Sequence, residues 1–123
     1  MEGISHVRAT AVPVRDLERA KEFYGEVLGM ELRVDASAFN WVEFGPAEAM
    51  GRIALYQDEE VGGQTRIHTV TRDLHSFHRE LKDRVEFTLP PTRREWGGTV
   101  ARFLDLDGNL FTVMDERIDR EWE

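Results

Sequence analysis

The chain has 123 residues, enough for one domain that buries roughly two-thirds of its unfolded surface without covalent staples. It has no cysteine, which excludes disulfides, zinc–thiolate sites and a cysteine nucleophile. Asp and Glu outnumber Lys and Arg by 24 to 16, a formal charge of −8, so a phosphate backbone would be repelled and nucleic acid is not an expected partner.

The opening "MEGISHVRAT" has no apolar signal core. No run approaches ~18 apolar residues, so membrane spanning is not expected and a cytoplasmic protein is. Residues 7–14 then read as a strand. Asp16 can cap a helix in which Leu17, Ala20, Phe23, Tyr24, Val27 and Leu28 fall on one face, with Gly29 as its stop. Three strands are predicted after it, over residues 31–34, 39–44 and 52–57, with Gly45-Pro46 breaking the pattern between the last two. Residues 66–71 form the next predicted strand, and Asp73 can cap a helix whose apolar face is Leu74, Phe77 and Leu81. A strand over 85–89 should end at Pro90-Pro91, and strands over 100–106 and 110–114 should be joined through Asp107-Gly108-Asn109.

The two halves echo each other. "VPVRDLERAKEFY" and "VTRDLHSFHREL" both place Arg-Asp-Leu between a β-like run and a helical pattern, and 57 positions separate Asp16 from Asp73. A duplicated β-α-β-β-β module follows: an α+β arrangement of mostly antiparallel sheet covered by helices, with one module over about 1–60 and the other over about 61–123.

The stretch "HVRATAVPVRDLERAKEFYGEVLGMEL" resembles the opening of the vicinal oxygen chelate superfamily, and "PPTRREWGGTVARFLDLDGNLFTVMDE" resembles its closing half. That group includes glyoxalase I, extradiol dioxygenases and bleomycin and fosfomycin resistance proteins. The resemblance implies two βαβββ modules curled into a cup, and a dimer. In active members a divalent metal in the cup is held by four ligands, usually two histidines and two glutamates, and stabilises charge on two adjacent substrate oxygens as a Lewis acid.

Registering the four ligand places gives Ala9, Ala54, Arg66 and Thr112. Alanine has no donor atom, a guanidinium is permanently cationic, and a threonine hydroxyl is a poor ligand for a hard cation. His6 lies an odd three positions before Ala9, so as a strand residue it should face away from the cup. His75 and His78 should lie on a solvated helix face. No metal and no other cofactor is therefore expected.

A cup without metal ligands suits a small molecule held by apolar contacts and a few placed polar groups. The candidate liners are Phe39, Trp41, Ala54, Trp96, Phe103 and Met114, with Glu43, Tyr56, Arg66, His68 and Thr112 supplying polarity. Arg52 shares the Ala54 face, and Trp96 with Gly97-Gly98 suits a mobile loop at a pocket mouth. Arg66 can take a ligand carboxylate or phosphate, or pair with Glu43 as a structural ion pair. Overall acidity points instead to a cationic ligand. The functional expectation is a glyoxalase/bleomycin resistance-like protein that binds a drug or metabolite without metal. The alternatives are a glyoxalase- or dioxygenase-like enzyme, with a displaced metal site or acid–base chemistry by His68 and Glu43, and a purely structural module.

Overall fold

The computed structural model describes residues 3–63 and 66–117. The chain divides into two compact units, Met1–Val61 and Gly62–Glu123. In the first, β1 (Ala9–Val14), α1 (Leu17–Glu22), β2 (Leu32–Ala36), β3 (Trp41–Phe44) and β4 (Arg52–Gln57) follow in order. In the second come β5 (Arg66–Thr71), α2 (Leu74–Leu81), β6 (Glu86–Arg93), β7 (Thr99–Leu104) and β8 (Leu110–Asp115). Each unit is a four-stranded sheet, ordered β1-β4-β3-β2 in one and β5-β8-β7-β6 in the other. One pairing in each is parallel (β1 with β4, β5 with β8) and the others are antiparallel, so the α+β reading from the sequence holds.

Both helices start where the sequence places them. Asp16 accepts from the Arg19 amide at 3.1 Å, and Asp73 from the Ser76 amide at 3.1 Å. A second acceptor reaches each helix start from the end of the last strand of its unit. Gln57 Oε1 accepts from the Leu17 amide at 3.0 Å, and Asp115 Oδ2 from the Leu74 amide at 2.9 Å. The duplicated modules thus fasten helix to sheet in the same way twice.

The first helix does not stay α-helical to Leu28. Residues Phe23–Val27 widen into a π-helical turn closed by the Leu28 amide on the Phe23 carbonyl at 3.0 Å. The extra width lets consecutive Phe23 and Tyr24 both be buried. Gly25 lies so close to Phe44 that a Cβ there would sit 3.4 Å from the ring. Gly29 ends the segment at φ 72°, as a helix stop requires.

Three of the strand boundaries that differ from expectation have a clear local cause. The strand predicted over 39–44 starts at Trp41, because Ser37–Phe39 form a 3-10 turn and Asn40 takes a left-handed φ of 59°. Asparagine tolerates that conformation, and its amide is held by both polar groups of the Gln57 backbone, at 3.0 and 2.6 Å. The strand predicted to stop at Pro90-Pro91 runs through to Arg93. It is an edge strand with two register shifts, where a missing N–H costs no ladder bond. The strand over 99–104 ends before Asp105, whose Oδ1 accepts from the amides of Asp107 and Asn109 at 2.9 and 2.8 Å and shapes the turn with Gly108 at φ 82°.

The helix-side faces form the cores. In the first unit Val12, Val14, Val42, Phe44 and Leu55 are almost fully buried beneath α1. In the second an aromatic cluster does this work: Phe77, Phe87 and Phe111 surround Phe103 at centroid distances of 5.9, 5.7 and 4.9 Å.

Candidate functional site

The face of each sheet turned away from its helix can be read from the registers. In the first unit Ala9, Ala11 and Pro13 of β1 share it with Arg52, Ala54 and Tyr56 of β4, and with Trp41 and Glu43 of β3. In the second, Arg66, His68 and Val70 of β5 share it with Leu110, Thr112 and Met114 of β8, and with Val100, Arg102 and Leu104 of β7. Ala9 and Ala54 therefore lie on the open face of one module, and Arg66 and Thr112 on that of the other. Residue types at these four places supply no ligand set for a divalent metal. Among the described residues no group of three or more His, Asp or Glu side chains is placed to hold a metal ion.

Glu43 is the polar centre of the first open face and is only 1% exposed. Its Oε2 accepts from Trp41 Nε1 at 2.7 Å and from Arg8 Nε at 3.1 Å, and its Oε1 from Arg52 Nη1 at 3.0 Å. Burial pushes its carboxyl upward, but donation from Trp41, Arg8 and Arg52 outweighs this and holds it at about 2. At neutral pH Glu43 is a saturated anion, far from the range in which a general base works. Its ion-pair partners belong to its own unit, which corrects the expected pairing with Arg66. The register of β3 with β4 sets Arg52 diagonally across from Glu43, and Arg8, just before β1, reaches the same carboxylate.

Arg52 is a clamp and not a free pocket group. It is 8% exposed, and it also donates from Nε to the Pro46 carbonyl at 3.1 Å and from Nη2 to the Ala47 carbonyl at 2.8 Å. One guanidinium thus ties the loop after β3 to the carboxylate of β3. Trp41, by donating to Glu43, has its indole edge fixed, and Tyr56 lies on the same face of β4.

Two candidate liners are placed elsewhere. Phe39 sits in the 3-10 turn, 86% exposed, and does not alternate with Trp41 and Glu43 along β3. Phe103 is 2% exposed in the helix-side core, stacked on Phe111. Its register partner is Phe111, one step from the Arg102–Thr112 pair, so it points to the opposite face from Thr112. Trp96 lies in the turn before β7, 43% exposed, with its indole folded over Gly98; a Cβ at 98 would lie 2.0 Å from the ring. Of the other histidines, His6 precedes β1 and hydrogen-bonds Ser5 at 2.8 Å. His75 is exposed, and His78 packs its ring edge-on against Phe87 at 4.7 Å, so it is not fully solvated.

A groove of about 830 Å³ lies on the helix side of the first unit, bordered by Glu18, Lys21, Glu22, Glu26 and Leu32. It is open and walled by charged side chains of a solvent-facing helix, which suits hydration better than ligand capture. Sequence reasoning missed Arg8 as a donor to Glu43 and Arg102 as an open-face residue. The signal for Arg102 is its alternation with Val100 and Leu104 along β7, opposite to Phe103.

Similarity to known proteins agrees with this architecture. A Bacillus subtilis (strain 168) protein, YetH, itself uncharacterised, is 28% identical over 120 residues, covering 91% of this chain and 99% of its own. A crystal structure of a glyoxalase/bleomycin resistance protein/dioxygenase superfamily member from Sphaerobacter thermophilus DSM 20745 superposes with a TM-score of 0.79 at 33% identity, covering 92% of this chain and 98% of that one. TnmS3, an antibiotic-binding protein from Streptomyces sp. CB03234, superposes with a TM-score of 0.74 at 30% identity, covering 94% and 98%. The sequence pattern of the Glyoxalase/Bleomycin resistance protein/Dioxygenase superfamily matches residues 3–113, and the chain belongs to that superfamily.

Proposed function

We propose that the protein binds a small organic molecule, a drug or a metabolite, on the open faces of its sheets without a metal. The observation that carries this reading is the make-up of those faces. Alanines, an arginine and a threonine stand at the four places that the resemblance registers with the superfamily's metal ligands. The carboxylate buried on the open face of the first module, Glu43, is held by three donors of its own module. A carboxylate so engaged cannot serve as the base of the enzymatic alternative. Trp41, with its indole edge fixed, Tyr56 and Met114 offer flat or polarisable apolar surface for an organic ligand. Likeness to an antibiotic-binding protein supports the same reading. A homodimer acting in the cytoplasm completes the proposal. Among the described residues no helix is long and apolar enough to cross a membrane.

Metal analysis of the purified protein together with titration by polycyclic aromatic antibiotics, followed by tryptophan fluorescence, tests it. Saturable quenching that survives a chelator is the expected result, with a ligand at 100 times its Kd adding roughly 2.7 kcal/mol to stability. Stoichiometric, tightly held divalent metal would overturn the reading.

A further inference from the structure

We propose that the open face of the second module is an anion-recognition site, taking a carboxylate or phosphate group of the ligand through Arg66, His68, Arg102 and Thr112. This inference rests on the small-molecule reading above and names the chemistry of the ligand. Parallel pairing of β5 with β8 sets His68 beside Thr112, and antiparallel pairing of β8 with β7 sets Arg102 on the other side of the same threonine. Strands lie roughly 4.8 Å apart, so His68 and Arg102 flank Thr112 with backbones roughly 10 Å from each other. A short hydroxyl side chain thus stands between two longer donor side chains. Arg66 stands two residues from His68 on the same face of β5. Arg66, His68 and Arg102 are all exposed.

The contrast with the first module sharpens the assignment. There Glu43 pairs in register with Ala54, and two arginines close on its carboxylate. In the second module the equivalent register partner of Thr112 is Arg102, a cation where the first module has an anion. Among the described residues no carboxylate forms an ion pair with Arg66 or Arg102. Glu86 shares this face from β6, three strand spacings from Arg66 but one from Arg102, and it forms no ion pair with either. Two unmatched guanidiniums thus cluster on one face of a chain whose net charge is −8. Guanidinium groups bind carboxylate or phosphate through paired N–H donors, and a hydroxyl and an imidazole N–H extend that donor set. The overall acidity, which by itself suggests a cationic ligand, does not describe this surface.

The test uses the full chain and four naphthalene probes of one shape: 1-naphthoate, 1-naphthyl phosphate, neutral 1-naphthamide and cationic 1-naphthylmethylammonium. Affinities come from calorimetry and the site from amide shifts. At least one anion should bind about tenfold or more tighter than the amide, with shifts at residues 66, 68, 102 and 112. The relative affinities of naphthoate and naphthyl phosphate separate a carboxylate from a phosphate ligand. R66Q and R102Q should each erode the preference while leaving the melting temperature unchanged, since both side chains are exposed. Equal affinity for the amide, preference for the ammonium, or an anion preference untouched in both variants would overturn the anion site but leave small-molecule binding standing. If none of the four probes binds, both readings fall.

Discussion

Glu43 and Arg52 form an ion pair at 3.0 Å with side chains 2% and 8% exposed, and this pair joins β3, β4 and the loop between them. A buried pair whose remaining hydrogen-bonding groups are also satisfied is weak evidence of net stabilisation over an apolar pair. Losing one partner is costly, because the other is left buried and uncompensated.

Replacing Glu43 with glutamine should therefore destabilise the fold by about 2–4 kcal/mol, measured by urea unfolding. Trp41 fluorescence should change with it, since its Nε1 donates to the same carboxylate. A loss below half a kilocalorie per mole would show that the network is incidental.

The same carboxylate predicts a pH dependence. Its folded pKa is lowered from 4.5 to about 2. A depressed carboxyl contributes stability that is fully present above the unfolded value and is lost as pH falls through the folded one. Between pH 5 and pH 2 the native state should lose about 3 kcal/mol on account of Glu43. Asp115, also lowered because Arg117 and the backbone amides of Leu74 and Arg117 donate to it against the cost of burial, adds loss in the same direction. In E43Q the slope of stability against pH over this window should flatten measurably; an unchanged slope would show that other carboxylates govern acid unfolding.

Phe103 is assigned to the core and not to a ligand surface. Phe103→Ala should cost about 3–5 kcal/mol, as deletion of a buried aromatic does, because Phe77, Phe87 and Phe111 lose their shared neighbour. Any ligand affinity measured under conditions where the variant is folded should be unchanged. A stable variant with lost binding would reverse the assignment.

At Gly98 a Cβ would meet the Trp96 indole at 2.0 Å. Gly98→Ala should push the ring outward, shift its emission to the red and cost about 1 kcal/mol or less, since the displaced group is a side chain already 43% exposed. An unshifted spectrum would mean that the backbone had moved instead.

Much of this architecture is written locally. Asp16 and Asp73 mark both helix starts because a short carboxylate in front of an apolar periodic run can satisfy an amide three residues on. Repetition of that signal 57 residues later gives the duplicated module, and alternation along one strand puts Arg66 and His68 on one face. Those local rules depend only on neighbours a few residues apart, so the chain itself determines them. Tertiary structure decided what parity leaves open. Alternation says that Phe103 and Arg102 face opposite ways, but only pairing with β8 says which of them meets the helix. Glu43 had several arginines to choose from, and the register of β3 with β4 selected Arg52. Pro90 and Pro91 break a strand by local rules, yet at a sheet edge the missing donors go unused and the strand continues. Each of these outcomes depends on which distant strand lies alongside, and no short stretch of sequence contains that information.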